Sequence, residues 1–166
     1  MSTIAELLEA IKNVITKPDT FKKGDEFEEY VQKVLFPNSN FILLQQTHDY
    51  IANKNRYIES SKEPDFKFRS RIEGKDFFVE AKYRSGFHNG VIDWCKPFQL
   101  RRYQIMDNII PVYIAMGIGG QPKEPYQISL IPMKHIRFCR LYPSFLTKFS
   151  VSTGHCITEK ELSMIS

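Results

Sequence analysis

The chain has 166 residues, and 23 basic against 19 acidic side chains give it a formal net charge of +4. That length suits one ordinary domain with its own apolar core, and 13 Phe with 8 Tyr argue against intrinsic disorder. The mild positive excess permits a polyanionic partner without demanding one.

Cys95, Cys139 and Cys156 form no C-x-x-C pair, which argues against a zinc ribbon and fits free thiols in a reducing compartment. His135 with Cys139, or His155 with Cys156, falls short of a four-ligand set. No signal peptide is visible, and no run approaches the roughly 18 apolar residues of a membrane span. The expected setting is cytoplasmic, away from the membrane.

In chain order, residues 3–16 read as a helix, with Thr3 and Glu6 fitting a capping box and Ile4, Leu7, Leu8 and Ile11 forming an apolar stripe. Pro18 ends it, and Lys22-Lys23-Gly24 reads as a break before a second helix over 25–36. Residues 41–44 suit a buried strand, and 48–63 are polar and irregular. Strands are expected over 65–69 and 77–83, joined through Glu73-Gly74-Lys75 as a hairpin. A Gly-, His- and Asn-bearing loop over 84–96 leads to Pro97, which suits the first turn of a helix reaching about residue 108. Strands over 111–118 and 126–131 follow, and the tail from Pro132 holds one or two short helices, around Pro143–Phe149 and near the C-terminus. The order α-α-β-β-β-α-β-β-α predicts an α/β fold, a central mixed β-sheet flanked by helices, in a single domain over 1–166.

The hairpin carries the chemistry. Side chains alternate faces along a strand, so Glu80 and Lys82 point one way while Phe77, Val79 and Ala81 point into a core. Asp65 opens the partner strand and shares its face with Lys67 and Arg69. A two-residue loop at Glu73-Gly74 sets Asp65 opposite Lys82; one at Gly74-Lys75 sets Lys67 there. Either register puts Asp65 on the face of Glu80 and Lys82, whereas a three-residue loop without a bulge would not. Two carboxylates that close together repel unless a cation lies between them. Mg²⁺ suits such a pair, leaving a lysine to orient or deprotonate a water. A solvated hairpin with alternating charges is the bland alternative.

Pro64-Asp65, fourteen residues, then Glu80-Ala81-Lys82 resembles the PD-(D/E)xK signature of restriction-endonuclease-like nucleases. Gly24-Asp25-Glu26-Phe27-Glu28 resembles the early-helix setting from which that family often brings a glutamate to the metal. At about 100° per residue, Glu28 lies at the edge of the apolar face, Glu26 somewhat further out and Glu29 almost opposite. Gln99 and Tyr103, one helical turn apart and starting seventeen residues after Lys82, resemble the family's Gln-x-x-x-Tyr element.

The resemblance covers about residues 24–132 and implies an α-β-β-β-α-β core, with the N-terminal helix and the tail as additions. It implies metal-dependent hydrolysis of DNA phosphodiester bonds. Asp65, Glu80 and Glu28 would hold Mg²⁺ or Mn²⁺, Lys82 would orient the attacking water, and Gln99, supported by Tyr103, would hold the carboxylates or a phosphate.

Lys67, Arg69, Arg84, Lys96, Arg101, Arg102 and Tyr103 form a candidate nucleic-acid surface around that centre. Phe87, His88 and Trp94 offer rings to bases, although Trp94 reads better as a core anchor beside Pro97. No recognition module is evident, so specificity would come from DNA structure, from a homodimer or from a partner subunit. A catalytically inactive nucleic-acid-binding or assembly domain of the same fold is the alternative.

Overall fold

A computed structural model describes residues 4–8, 19–47 and 63–166. Residues 4–8 are helical, with Ile4, Leu7 and Leu8 exposed; the rest of the expected N-terminal helix lies outside the described residues, as does most of 48–63.

Helix α1 (Asp19–Tyr30) begins six residues before the expected start and runs through Lys22-Lys23-Gly24 without a break. A Lys23–Asp19 ion pair one turn apart, 3.1 Å, supports that extension, and buried Phe27 and Tyr30 anchor the helix. A wider π turn (Val31–Leu35) ends it, with the Phe36 amide donating to the Val31 carbonyl five residues back.

The strands are β1 (Phe41–Gln46), β2 (Phe66–Ser70), β3 (Asp76–Arg84), β4 (Ile92–Asp93), β5 (Val112–Ile118), β6 (Gln127–Pro132), β7 (Arg140–Leu141) and β8 (Ser150–Val151). Helices α2 (Pro97–Asp107), α3 (Pro143–Thr147) and α4 (Glu159–Ile165) and a 3-10 turn (Met133–His135) complete the described elements. Among the described residues the main sheet has six strands in the order β1-β2-β3-β5-β6-β8, and β4 pairs with β7 apart from it. All neighbours in the main sheet are antiparallel except β3 and β5, which run parallel and are connected through α2. This is the expected mixed sheet flanked by helices.

Both faces are covered. Phe66, Phe68, Phe77, Val79 and Ala81 pack under α1 and α4 in one core; Phe78, Val112, Ile114, Met116 and Trp94 pack with Tyr103 of α2 in the other. Central β5 is buried along its whole length, as expected of a strand covered on both sides. Helix α1 sits close to the sheet because residue 117 is glycine: a Cβ there would lie 2.4 Å from the Phe27 ring. Among the described residues no helix is long and apolar enough to cross a membrane.

The hairpin loop differs from both expected forms. Phe66 pairs with Val79 and Arg69 with Asp76, so four residues, 71–74, make the turn, with Gly74 at φ +66°. The cause lies in α4. Glu159 accepts from the Ser70 hydroxyl at 2.5 Å, the Ile72 amide at 2.8 Å and the Glu73 amide at 3.3 Å, holding the longer loop open. Extending the observed register sets Asp65 opposite Glu80, two residues short of the nearer expected alignment with Lys82. Parity is unchanged, so Asp65 stays on the face of Glu80 and Lys82.

Candidate active site

Asp65 stands where β2 has not yet begun, behind buried Pro64. Its carbonyl accepts from the Thr47 amide at 2.9 Å, tying it to the end of β1. Its carboxylate turns onto β3 and accepts from the Ala81 amide at 2.8 Å, while its own amide donates to Glu80 Oε2 at 3.2 Å. The two acids are therefore cross-linked through each other's strands.

Glu80 is the most enclosed of the site's charges, with only 3% of its surface exposed, because α2 covers this face of β3. The Tyr103 hydroxyl donates to Oε2 at 2.9 Å, and Lys82 Nζ stands 2.5 Å from Oε1. A solvated hairpin is thus not what this end of the sheet contains. Both Glu80 oxygens are engaged, by an ammonium on one side and by a phenol and an amide on the other.

The electrostatics follow from burial. Desolvation pushes the Asp65 carboxyl well above its usual range, and the charges of Glu80 and Glu28 push it further, against the opposing Lys82 ammonium and Ala81 amide. Burial works against the Lys82 ammonium, but Glu80 and Asp65 outweigh it and hold its pKa up. The Tyr103 phenol is raised by burial first and by the two carboxylates second, so it stays a donor.

Glu28 lies on α1, half-buried, on the helix that covers the opposite face; its carboxylate acts on Asp65 through its charge. Glu29 faces away, pairing with Lys33 at 2.6 Å and Lys123 at 3.2 Å. Gln99 does not reach the carboxylates: its side chain accepts from the Lys96 amide at 3.1 Å and caps its own helix. Tyr103, expected on the nucleic-acid surface, is instead buried at 2% exposure and bound to Glu80. Its spacing one turn after Gln99 marked it as a support for the glutamine at the carboxylates; the structure has the tyrosine touch Glu80 itself.

The basic residues divide into two sets. Asp76 holds Arg69 at 2.6 and 3.1 Å and Lys67 at 3.7 Å, and Lys67 also lies 5.6 Å from the centre of the Phe78 ring. Arg84 spends its guanidinium on the carbonyls of Tyr83, Asp93 and Trp94. Lys96 and Arg101 are exposed, and Arg102 lies over the exposed ring of Phe98. Trp94 is a core anchor, 1% exposed, while Phe87 and His88 stay at the surface.

The donor set suits a hard divalent cation, being carboxylate oxygen throughout, with Asp65 and Glu80 adjacent and Glu28 felt at Asp65 through its charge. Among the described residues, no group of three or more His, Cys, Asp and Glu side chains stands together as a ready-made metal site. No family model matches the sequence, and no curated protein matches it either.

Proposed function

We propose that this protein is a metal-dependent phosphodiesterase acting on DNA, with a core of the PD-(D/E)xK nuclease kind. The observation that carries the reading is the meeting of Asp65, Glu80 and Lys82 on one covered sheet face, under a helix whose tyrosine binds the glutamate. Carboxylates seldom gather away from water unless a cation is to join them. The succession of helix, three strands, helix and strand from α1 to β5, once short β4 is set aside, is that implied for such a core.

Asp65 and Glu80, with Glu28, would hold Mg²⁺ or Mn²⁺. A divalent ion there supplies Lewis acidity toward a phosphoryl oxygen and lowers the pKa of water. The protein's own groups do the remaining work. The Lys82 ammonium has three donors and gives one to Glu80, leaving two to orient a water or to meet a phosphate oxygen. Tyr103 fixes the Glu80 rotamer, and the Ala81 amide fixes Asp65.

A second reading, an inactive nucleic-acid-binding or assembly domain, is favoured by one observation: both Glu80 oxygens are already satisfied from within the chain. Cleavage of circular plasmid and of labelled oligonucleotides with Mg²⁺ or Mn²⁺ separates the two. Activity that needs metal and vanishes in Asp65→Ala and in Lys82→Ala supports the enzyme. No cleavage of duplex, single-stranded or branched substrate moves the assignment to the second reading.

A further inference from the structure

The segment after β6 carries no acidic residue: none stands between Glu124 and Glu159, while Lys134, Arg137, Arg140 and Lys148 fall within it. Part of this segment folds around a cavity of about 530 Å³, lined among others by Arg137, Phe138, Arg140, Tyr142 and Phe145. That volume lies in the ordinary range for a small-ligand site, about 300–1,000 Å³.

Two aromatic rings at the cavity are left in solvent on a fixed backbone. The Phe138 ring is 71% exposed, although the Phe138 carbonyl accepts from the indole of buried Trp94 at 3.0 Å. Tyr142 is 62% exposed, although its carbonyl accepts from the Phe145 and Leu146 amides as α3 begins. Neither ring belongs to a core cluster. Arg140 is pinned to Asp93 at 2.9 Å, and Arg137 has no ion-pair partner among the described residues.

We infer that this cavity binds unpaired nucleobases of single-stranded DNA, with Phe138 and Tyr142 stacking on the bases and Arg137 meeting the phosphate. Exposed rings beside arginine suit a base face and a phosphate together. In a duplex the base faces are stacked inside, so only an unpaired segment offers them. The segment that lines the cavity is tied to the end of β3 through the β4–β7 pair. The Trp94 amide donates to the Cys139 carbonyl at 3.0 Å, Cys95 Sγ lies 3.6 Å from Cys139 Sγ, and the Lys82 charge is felt at Cys95. The choice of polymer rests on the phosphodiesterase reading above.

The test is fluorescence anisotropy with a labelled oligothymidylate and with a hairpin duplex of equal length, in EDTA so that nothing is cut. Wild type binds the single strand more tightly. Phe138→Ala with Tyr142→Ala weakens that binding about tenfold or more, and Arg137→Ala flattens its dependence on log salt by about one phosphate contact. Because both rings are exposed, melting temperature stays near wild type. Phe138→Leu with Tyr142→Leu keeps apolar bulk and loses the same affinity, which separates stacking from folding. Unchanged affinity in both double variants, or equal affinity of wild type for the duplex, overturns the inference. Cleavage with Mg²⁺ reads the other claim separately: ring-dependent binding without cleavage leaves the cavity standing and removes the enzyme.

Discussion

Tyr103→Phe isolates one hydrogen bond of the site. Tyr103 is buried, so the substitution removes an oxygen and leaves the ring packed where it is. Glu80 Oε2 loses its donor at 2.9 Å and keeps the Asp65 amide at 3.2 Å. A hydrogen bond to a charged group contributes about 1.5–3 kcal/mol. With one donor remaining, the low end applies, a loss of about 1.5 kcal/mol. For a domain of this size each kcal/mol moves the melting temperature by about 2–4 °C, so a fall of about 3–6 °C is expected. Calorimetry or urea unfolding at neutral pH reads it. The same change made in Glu80→Ala should be neutral or stabilising, because there the hydroxyl is buried without its acceptor. An equal loss in both backgrounds would refute the assignment of that bond to Glu80.

Gly117→Ala drives a methyl group into the Phe27 ring, which lies between Tyr30 and Tyr83 at 6.0 Å from each. A loss of about 1–3 kcal/mol in urea unfolding is expected, partly relieved by Phe27→Leu. Asp76→Asn frees Lys67 and Arg69, so DNA binding should tighten and its salt dependence steepen in anisotropy titrations. Burial would raise the Glu159 carboxyl, but the Ser70 hydroxyl and the hairpin-loop amides outweigh it and hold it below its usual range. A depressed folded pKa means its stabilisation is present above the unfolded value of about 4.3 and is lost as pH falls through the lower folded value. The melting-temperature gap between wild type and Glu159→Gln should therefore be constant near neutrality and shrink below about pH 4; a gap independent of pH contradicts the account.

The pleat explains why the acidic pair was legible in the sequence. Any hairpin loop of even length puts Asp65 on the face of Glu80, so the juxtaposition survived an error in the loop itself. The four-residue turn was not legible because Glu159, which binds it, lies far away along the chain. Helix α1 runs through Gly24 because a mid-helix glycine costs only about 1 kcal/mol, less than the Phe27 and Tyr30 anchors return. The Gln99-x-x-x-Tyr103 spacing located the right helix turn, but side-chain reach decided the roles: the longer tyrosine touches Glu80 and the glutamine caps the helix. In the tail the two short helices were legible, but β7 and β8, two residues each, are too short for any period to show.

The most direct test of the central claim is Mn²⁺ titration followed by electron paramagnetic resonance, with wild type beside Asp65→Ala and Glu80→Ala. Wild type should bind Mn²⁺ and both variants should lose it, with cleavage rising over the same metal range. Wild type that binds no Mn²⁺, or variants that bind it as well as wild type does, would contradict that claim.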